Sequence, residues 1–283
     1  MIRPRHGLML LAPIALALGG FFLLPVATML PTSFQEYTPG AGLTPGVWTF
    51  ENYTRIVTDG YYREVIWRTL GLGFAVTFAC LLLGYPLAYL IARGPERWRT
   101  PLILLVIFPM MLNLVVRSFG WIALLANRGL INNLLIDLGL IAAPLKLMFN
   151  LTGLMIGLTH IYLPFMVLML VAAIGNVPRD VESAAATLGS TRLHVFVSVT
   201  LPLSAPGILA GSILVFILTI SALVTPRMLG GPTYKVMATL IYDEYMQTLD
   251  WPSGSALSFS LTFLAIGVIW FSSSVIKRWA GIA

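Results

Sequence analysis

Residues Asn176–Pro206 read Asn-Val-Pro-Arg-Asp-Val-Glu-Ser-Ala-Ala-Ala-Thr-Leu-Gly-Ser-Thr-Arg-Leu-His-Val-Phe-Val-Ser-Val-Thr-Leu-Pro-Leu-Ser-Ala-Pro. The pattern is that of a short helix, a stop and a second element. Asn176 can cap the start, and Pro178 suits a first turn because its missing N–H costs nothing there. Asp180 and Glu182 sit where a carboxylate favours the positive end of the helix dipole. Val177, Val181, Ala184 and Leu188 recur at helical spacing and make one apolar stripe. Gly189 ends the helix as a left-handed cap. The small side chains of Ala184, Ala185 and Ala186 let another surface approach closely.

What flanks this stretch is apolar. Of the 283 residues, 58% are hydrophobic and only 10% are charged, against about 25% charged in an ordinary soluble domain. The apolar residues come in long runs, and a membrane-crossing helix needs roughly 20 of them in succession. Six such spans are expected, at about 8–30, 68–92, 101–126, 151–174, 205–225 and 256–276. The first is read as a retained helix rather than a cleaved leader, because the run is long, contains Pro13 and Pro25, and lacks a clear small-x-small cleavage site. The fold class is therefore an all-α membrane protein, a single transmembrane domain over 1–283, with the segment 175–204 as a loop outside the membrane.

The net charge of +6 does not point to nucleic acid. The basic residues form no cluster of the kind that tracks phosphates. They stand in ones and twos at the ends of apolar runs, where Lys and Arg fix orientation. Six spans put both termini on one side. Arg3, Arg5, Arg93, Arg97, Arg99, Arg179, Arg192, Lys277 and Arg278 share that side, nine against eight on the other. The first set lies in much shorter segments, so both termini are expected in the cytoplasm.

Catalytic and metal chemistry have no obvious seat. There is no Gly-x-x-x-x-Gly-Lys-Ser/Thr loop, no His-Glu-x-x-His and no Cys-x-x-Cys, and the three histidines are scattered. Cys80 lies inside an apolar run and reads as a small buried hydrophobe.

The stretch quoted above resembles the cytoplasmic signature of ABC importer permeases, Glu-Ala-Ala-x-x-x-Gly-x(9)-Ile-x-Leu-Pro. Counting from Gly189, the Glu-Ala-Ala positions fall on Ser183, Ala184 and Ala185. The Ile-x-Leu-Pro positions fall on Val199, Thr200, Leu201 and Pro202. Ser183 replaces the family's Glu, and Val199 its Ile. Glu182 is one position earlier, about 100° round the helix, and is not expected to make the contact of the missing Glu. Glu51-Asn52-Tyr53, Gly84-Tyr85-Pro86-Leu87-Ala88-Tyr89, Val116–Trp121 and Gly129-Leu130-Ile131-Asn132 are similar to the spermidine/putrescine type of permease. The resemblance implies a type I importer fold in the bacterial inner membrane, with a coupling helix that docks on an ATPase. Glu182, Ser183, Ala184, Ala185, Leu188, Gly189, Val199, Leu201 and Pro202 would form the coupling segment. It implies as partners an ATPase dimer, a second homologous permease and a periplasmic solute-binding protein. ATP and magnesium would bind the ATPase, and this chain would hold no cofactor and catalyse nothing.

Six further residues are candidates for the solute pathway. Arg117 is the only charge well inside a span, and such a charge is a functional candidate. It could meet an anionic group of the solute, or it could snorkel outward, which its place about 24 Å along a straight third helix favours. Trp121, a turn later, reads first as an interfacial anchor and second as a face for an ammonium. His160 and Tyr162 either line the path or bond between helices. Asp243 and Glu244 flank the stripe of Met237, Leu240, Ile241 and Tyr245 in the last outer loop, where they would attract a cation. No Asp or Glu lies inside any of the six spans. A polyamine path would draw its carboxylates from partners, and an amino-acid-derived or anionic solute stays open. That absence also argues against an ion-coupled secondary transporter or channel.

Overall fold

The computed structural model describes residues 13, 14, 16–38 and 42–280. Arg3, Arg5 and the beginning of the first expected span lie outside the described residues. Among those described, four helical runs are long and apolar enough to cross a membrane: Gly60–Arg93, Leu114–Asp137, Leu151–Gly175 and Trp251–Ser272. Arg192–Leu203 and Ala205–Ile220 reach that length and apolarity only together, as a pair bent by 63°, which makes a fifth if counted as one span, and Leu16–Thr32 is a shorter apolar helix at the place of the first span.

In chain order the elements are α1 (Leu24–Thr32), β1 (Gln35–Thr38), β2 (Gly42–Trp48), α2 (Glu51–Thr58), α3 (Gly60–Arg93), α4 (Glu96–Ile107), α5 (Leu114–Leu125), α6 (Leu130–Asp137), α7 (Leu151–Gly175), α8 (Arg179–Thr187), α9 (Arg192–Val195), α10 (Ala205–Ile220), α11 (Met237–Asp243) and α12 (Trp251–Ala280). The chain divides into two compact units, one of residues 1–63 with 240–263 and one of 64–239 with 264–283.

The larger unit is built on α7. Within its apolar window 56% of the residues are buried, against 33% for α3. Leu154, Leu158, Met166, Val167, Leu170 and Ile174 of α7 pack with Leu72, Val76 and Cys80 of α3 and with Val215 of α10. Between spans there is little hydrophobic drive, so close van der Waals contact must hold helices together. Gly207 allows it: a Cβ there would fall 2.0 Å from the Cβ of Ala173, so α10 meets α7 backbone against backbone. Outward-facing residues are apolar too, with Phe78, Leu82 and Leu105 more than half exposed, as lipid-facing or partner-facing surface requires.

Two expected spans are corrected. The third, 101–126, is not one helix. After α4 a 3-10 turn, Phe108–Met111, carries Pro109, and Leu112 is extended. Asn113 then starts α5, its side chain accepting from the N–H of Val115 at 2.8 Å. Pro109 has no N–H to continue the ladder, and Asn113 offers a new start. The run of membrane length begins at Leu114 and passes through α6 to Asp137. The fifth span begins at Arg192 rather than at residue 205, bends by 63° after Leu203, and ends at Ile220 rather than at residue 225. Pro202 and Pro206 flank the bend, and Pro206 lacks an N–H for the preceding turn.

In the smaller unit, the segment read only as a polar connection forms a hairpin. β1 and β2 are antiparallel, pairing Gln35 with Trp48 and Tyr37 with Leu43. Asn52 of α2 donates to the carbonyls of Ser33 at 3.1 Å and Gln35 at 3.0 Å. Tyr53 shares a 2.8 Å bond with Ser33. These two contacts account physically for the Asn-Tyr pair singled out in the sequence.

Candidate functional site

The short helix of the opening stretch is α8, and its anchoring is polar. Arg93, the last residue of α3, meets Glu182 with Nε 3.0 Å from Oε2. Its other terminal nitrogen donates to the carbonyl of Val177 at 2.7 Å. Thr200 donates to Oε1 of Glu182 at 2.8 Å. The side chains of Arg93 and Glu182 are only 11% and 16% exposed. In such surroundings a charge without its partner is costly, so the pair holds α8 in place. Glu182 therefore turns inward to the ends of the spans, while Ser183 is exposed. Behind the tether, Tyr85 shares a 2.8 Å bond with Ser204, and Phe196 stands edge-on to Tyr85 and Tyr89.

The local signals are mostly as read. Gly189 has φ +89 and closes α8. Asn176 does not cap it: Asn176 ends α7, and Pro178 occupies the cap position of α8. The apolar stripe is split. Val177 is buried, Val181 is 43% exposed and Leu188 is 88% exposed. Ala184 is exposed beside them, and Ala185 is half-buried. Farther along, Thr191 caps α9 at the N–H of His194. Val199, Leu201 and Pro202 lie half-buried in the turns leading to the bend.

Four of the six pathway candidates come together between α5 and α7. Trp121 donates from Nε1 to Nδ1 of His160 at 3.2 Å, with the rings edge-to-face at 5.4 Å. This fixes the imidazole proton on Nε2. Arg117 lies within electrostatic reach of both His160 and Tyr162. Arg117 itself is half-buried. Its Nε and one terminal nitrogen are buried without a hydrogen-bond partner. The straight-helix distance failed because the break at Asn113 puts Arg117 in the first turn of α5. Trp121 serves as an interhelical donor. Asp243 and Glu244 belong to the other unit, where Gln247 donates to Asp243 at 2.9 Å and Thr248 to Glu244 at 2.7 Å.

Sequence reasoning missed Arg93 and Thr200 as anchors of α8. Arg93 was visible only as part of a basic turn, and no local spacing links it to a residue 89 positions away. It also missed what Asn132 does. Fully buried, Asn132 donates to the carbonyls of Ala126 and Leu145 and accepts from the N–H of Leu145 at 2.8 Å.

Comparison with known proteins places this geometry. Residues 72–280 match the family described as binding-protein-dependent transport system inner membrane component. The spermidine/putrescine transport system permease protein PotB of Escherichia coli (strain K12) is 34% identical over 261 residues, covering 91% of this chain and 94% of that protein. PotB of Haemophilus influenzae is 34% identical over 244 residues, covering 86% of this chain and 85% of the relative. The same fold occurs in the crystal structure of a bacterial alginate ABC transporter in complex with alginate pentasaccharide-bound periplasmic protein. That match has a TM-score of 0.78 at 18% identity, covering 96% of this chain and 94% of that one. This chain belongs to the family of binding-protein-dependent transport system inner membrane components, and it is a non-catalytic permease subunit of an ABC importer with the type I fold.

Proposed function

We propose that this permease forms half of the path for a polyamine such as spermidine or putrescine, and that α8 is its coupling helix on a separate ATPase. The likeness to PotB over nine-tenths of the chain supports the solute. The observation that carries the coupling role is the contrast between the two faces of α8. One face is tied to the spans through Glu182, and the other leaves Val181 and Leu188 uncovered. A helix held on one side and apolar on the other is built to transmit displacement. In this reading ATP and magnesium sit in the ATPase dimer. A periplasmic binding protein delivers solute, a second homologous permease completes the path, and both termini are cytoplasmic.

Arginine at Ala184 or Ala185 tests the coupling. The expected result is ATP hydrolysis no longer stimulated by the loaded binding protein, with the spans still folded. Normal transport in both variants would refute it. Purification of the tagged chain in mild detergent tests the assembly: an ATPase and a second permease should copurify, and the binding protein recovered with them can be titrated with spermidine and putrescine. A second solute class is favoured by one observation. Arg117 is a half-buried cation with two buried, unpaired nitrogens, and no carboxylate falls within the six spans expected from the sequence, which suits an amino-acid-derived or anionic solute. Uptake of a labelled amino acid derivative with no uptake of labelled putrescine would select it.

A further inference from the structure

We propose that a basic pocket at the ends of α3 and α7 binds the phosphate of an anionic phospholipid headgroup. The pocket has a volume of about 270 Å³, and Arg93, Arg99 and Arg179 line it together with Ala92, Gly175 and Asn176. No carboxylate lines it. Three guanidinium groups around one space repel one another unless an anion intervenes. Arg93 is already neutralised by Glu182. Arg99 and Arg179 have no ion-pair partner among the described residues. Glu96 and Asp180, the acids closest to them in sequence, are exposed and outside the lining.

Position selects the lipid. Ala92 lies one residue from the end of α3 and Gly175 is the last residue of α7, so the pocket floor is where two spans leave the hydrocarbon. Headgroups lie at that depth. Trp98, between Arg97 and Arg99, is 53% exposed, as an interfacial tryptophan would be. Arg99 lies in the first turn of α4, which runs back into the apolar stretch from Leu102 to Ile107. Arg179 stands in the first turn of α8, away from the uncovered Leu188 near its end. Basic pockets between spans are suited to anionic headgroups, because a planar guanidinium pairs with phosphate oxygens in bidentate fashion.

The test uses the assembly as purified from native membranes in mild detergent. Native mass spectrometry reads how many copies of added phosphatidylglycerol or phosphatidylcholine are retained. Wild type is expected to hold phosphatidylglycerol in preference. The double variant R99Q/R179Q is expected to weaken that retention by roughly tenfold or more, whereas R99K/R179K keeps most of it and an R128Q control keeps all of it. Equal retention by R99Q/R179Q would overturn the proposal. So would a wild type that holds both lipids alike, or one that binds inorganic phosphate but not phosphatidylglycerol. A variant that keeps the lipid but sheds the ATPase also overturns it, and assigns the two arginines to the subunit contact instead.

Discussion

At the scale of single residues, charge placement decides what each group does. The Arg93–Glu182 pair is shielded enough that loss of either partner strands the other. A double-mutant cycle with Arg93→Ala and Glu182→Ala is expected to give a coupling energy of about 1–3 kcal/mol, read from thermal unfolding in detergent. Additive single effects would show the pair to be idle. Arg117 is the opposite case, a half-buried cation with two buried, unpaired donor nitrogens. Leaving a buried donor unpaired costs about 1–3 kcal/mol, so Arg117→Met should leave thermal stability unchanged or raise it, while solute uptake falls. A variant that is unstable would show that Arg117 is structural after all. Asn132 makes its bonds on both sides of its amide, and Asn132→Ala should destabilise the α6 region by about 2–3 kcal/mol, seen as faster hydrogen exchange there.

At the scale of elements, backbone punctuation governs the outcome. Gly189 adopts φ +89 with open space around it, so the obstacle to a side chain there is backbone strain and not crowding. Gly189→Ala should cost about 1–2 kcal/mol and increase hydrogen exchange in α8 without loosening α7. The Gly189 stop, the first-turn acids and the run of small alanines were all legible in the sequence, because each is a property of neighbouring residues. The break of the third span was legible in principle through Pro109 and Asn113, but an uninterrupted apolar run outweighed them. The hairpin of β1 and β2 was not legible. Its strands satisfy their hydrogen bonds against each other, and a stretch rich in Pro, Gly and Thr carries no clear alternation to announce it.

At the scale of the whole molecule, the fit of α10 against α7 is the weak point to probe. A side chain at position 207 has no room before the Cβ of Ala173. Gly207→Val is therefore expected to push the two helices apart, lowering the unfolding temperature and the yield of assembled transporter. Gly71→Ala, where nothing lies within 4 Å, is the control that should change neither. Transport lost in the first variant with normal assembly would show that this packing serves motion and not stability.

Composition and the spacing of apolar runs determined by themselves that this is a multi-span membrane protein, and the signature around Gly189 pointed to the class of importer it serves. Both are local or periodic properties, carried by neighbours in the chain and readable without a fold. The tertiary structure alone decided that Glu182 faces Arg93, that Trp121 donates to His160, and that three arginines from α3, α4 and α8 share one pocket. Those pairings join residues tens of positions apart, and their energies depend on burial and direction that no sequence spacing encodes.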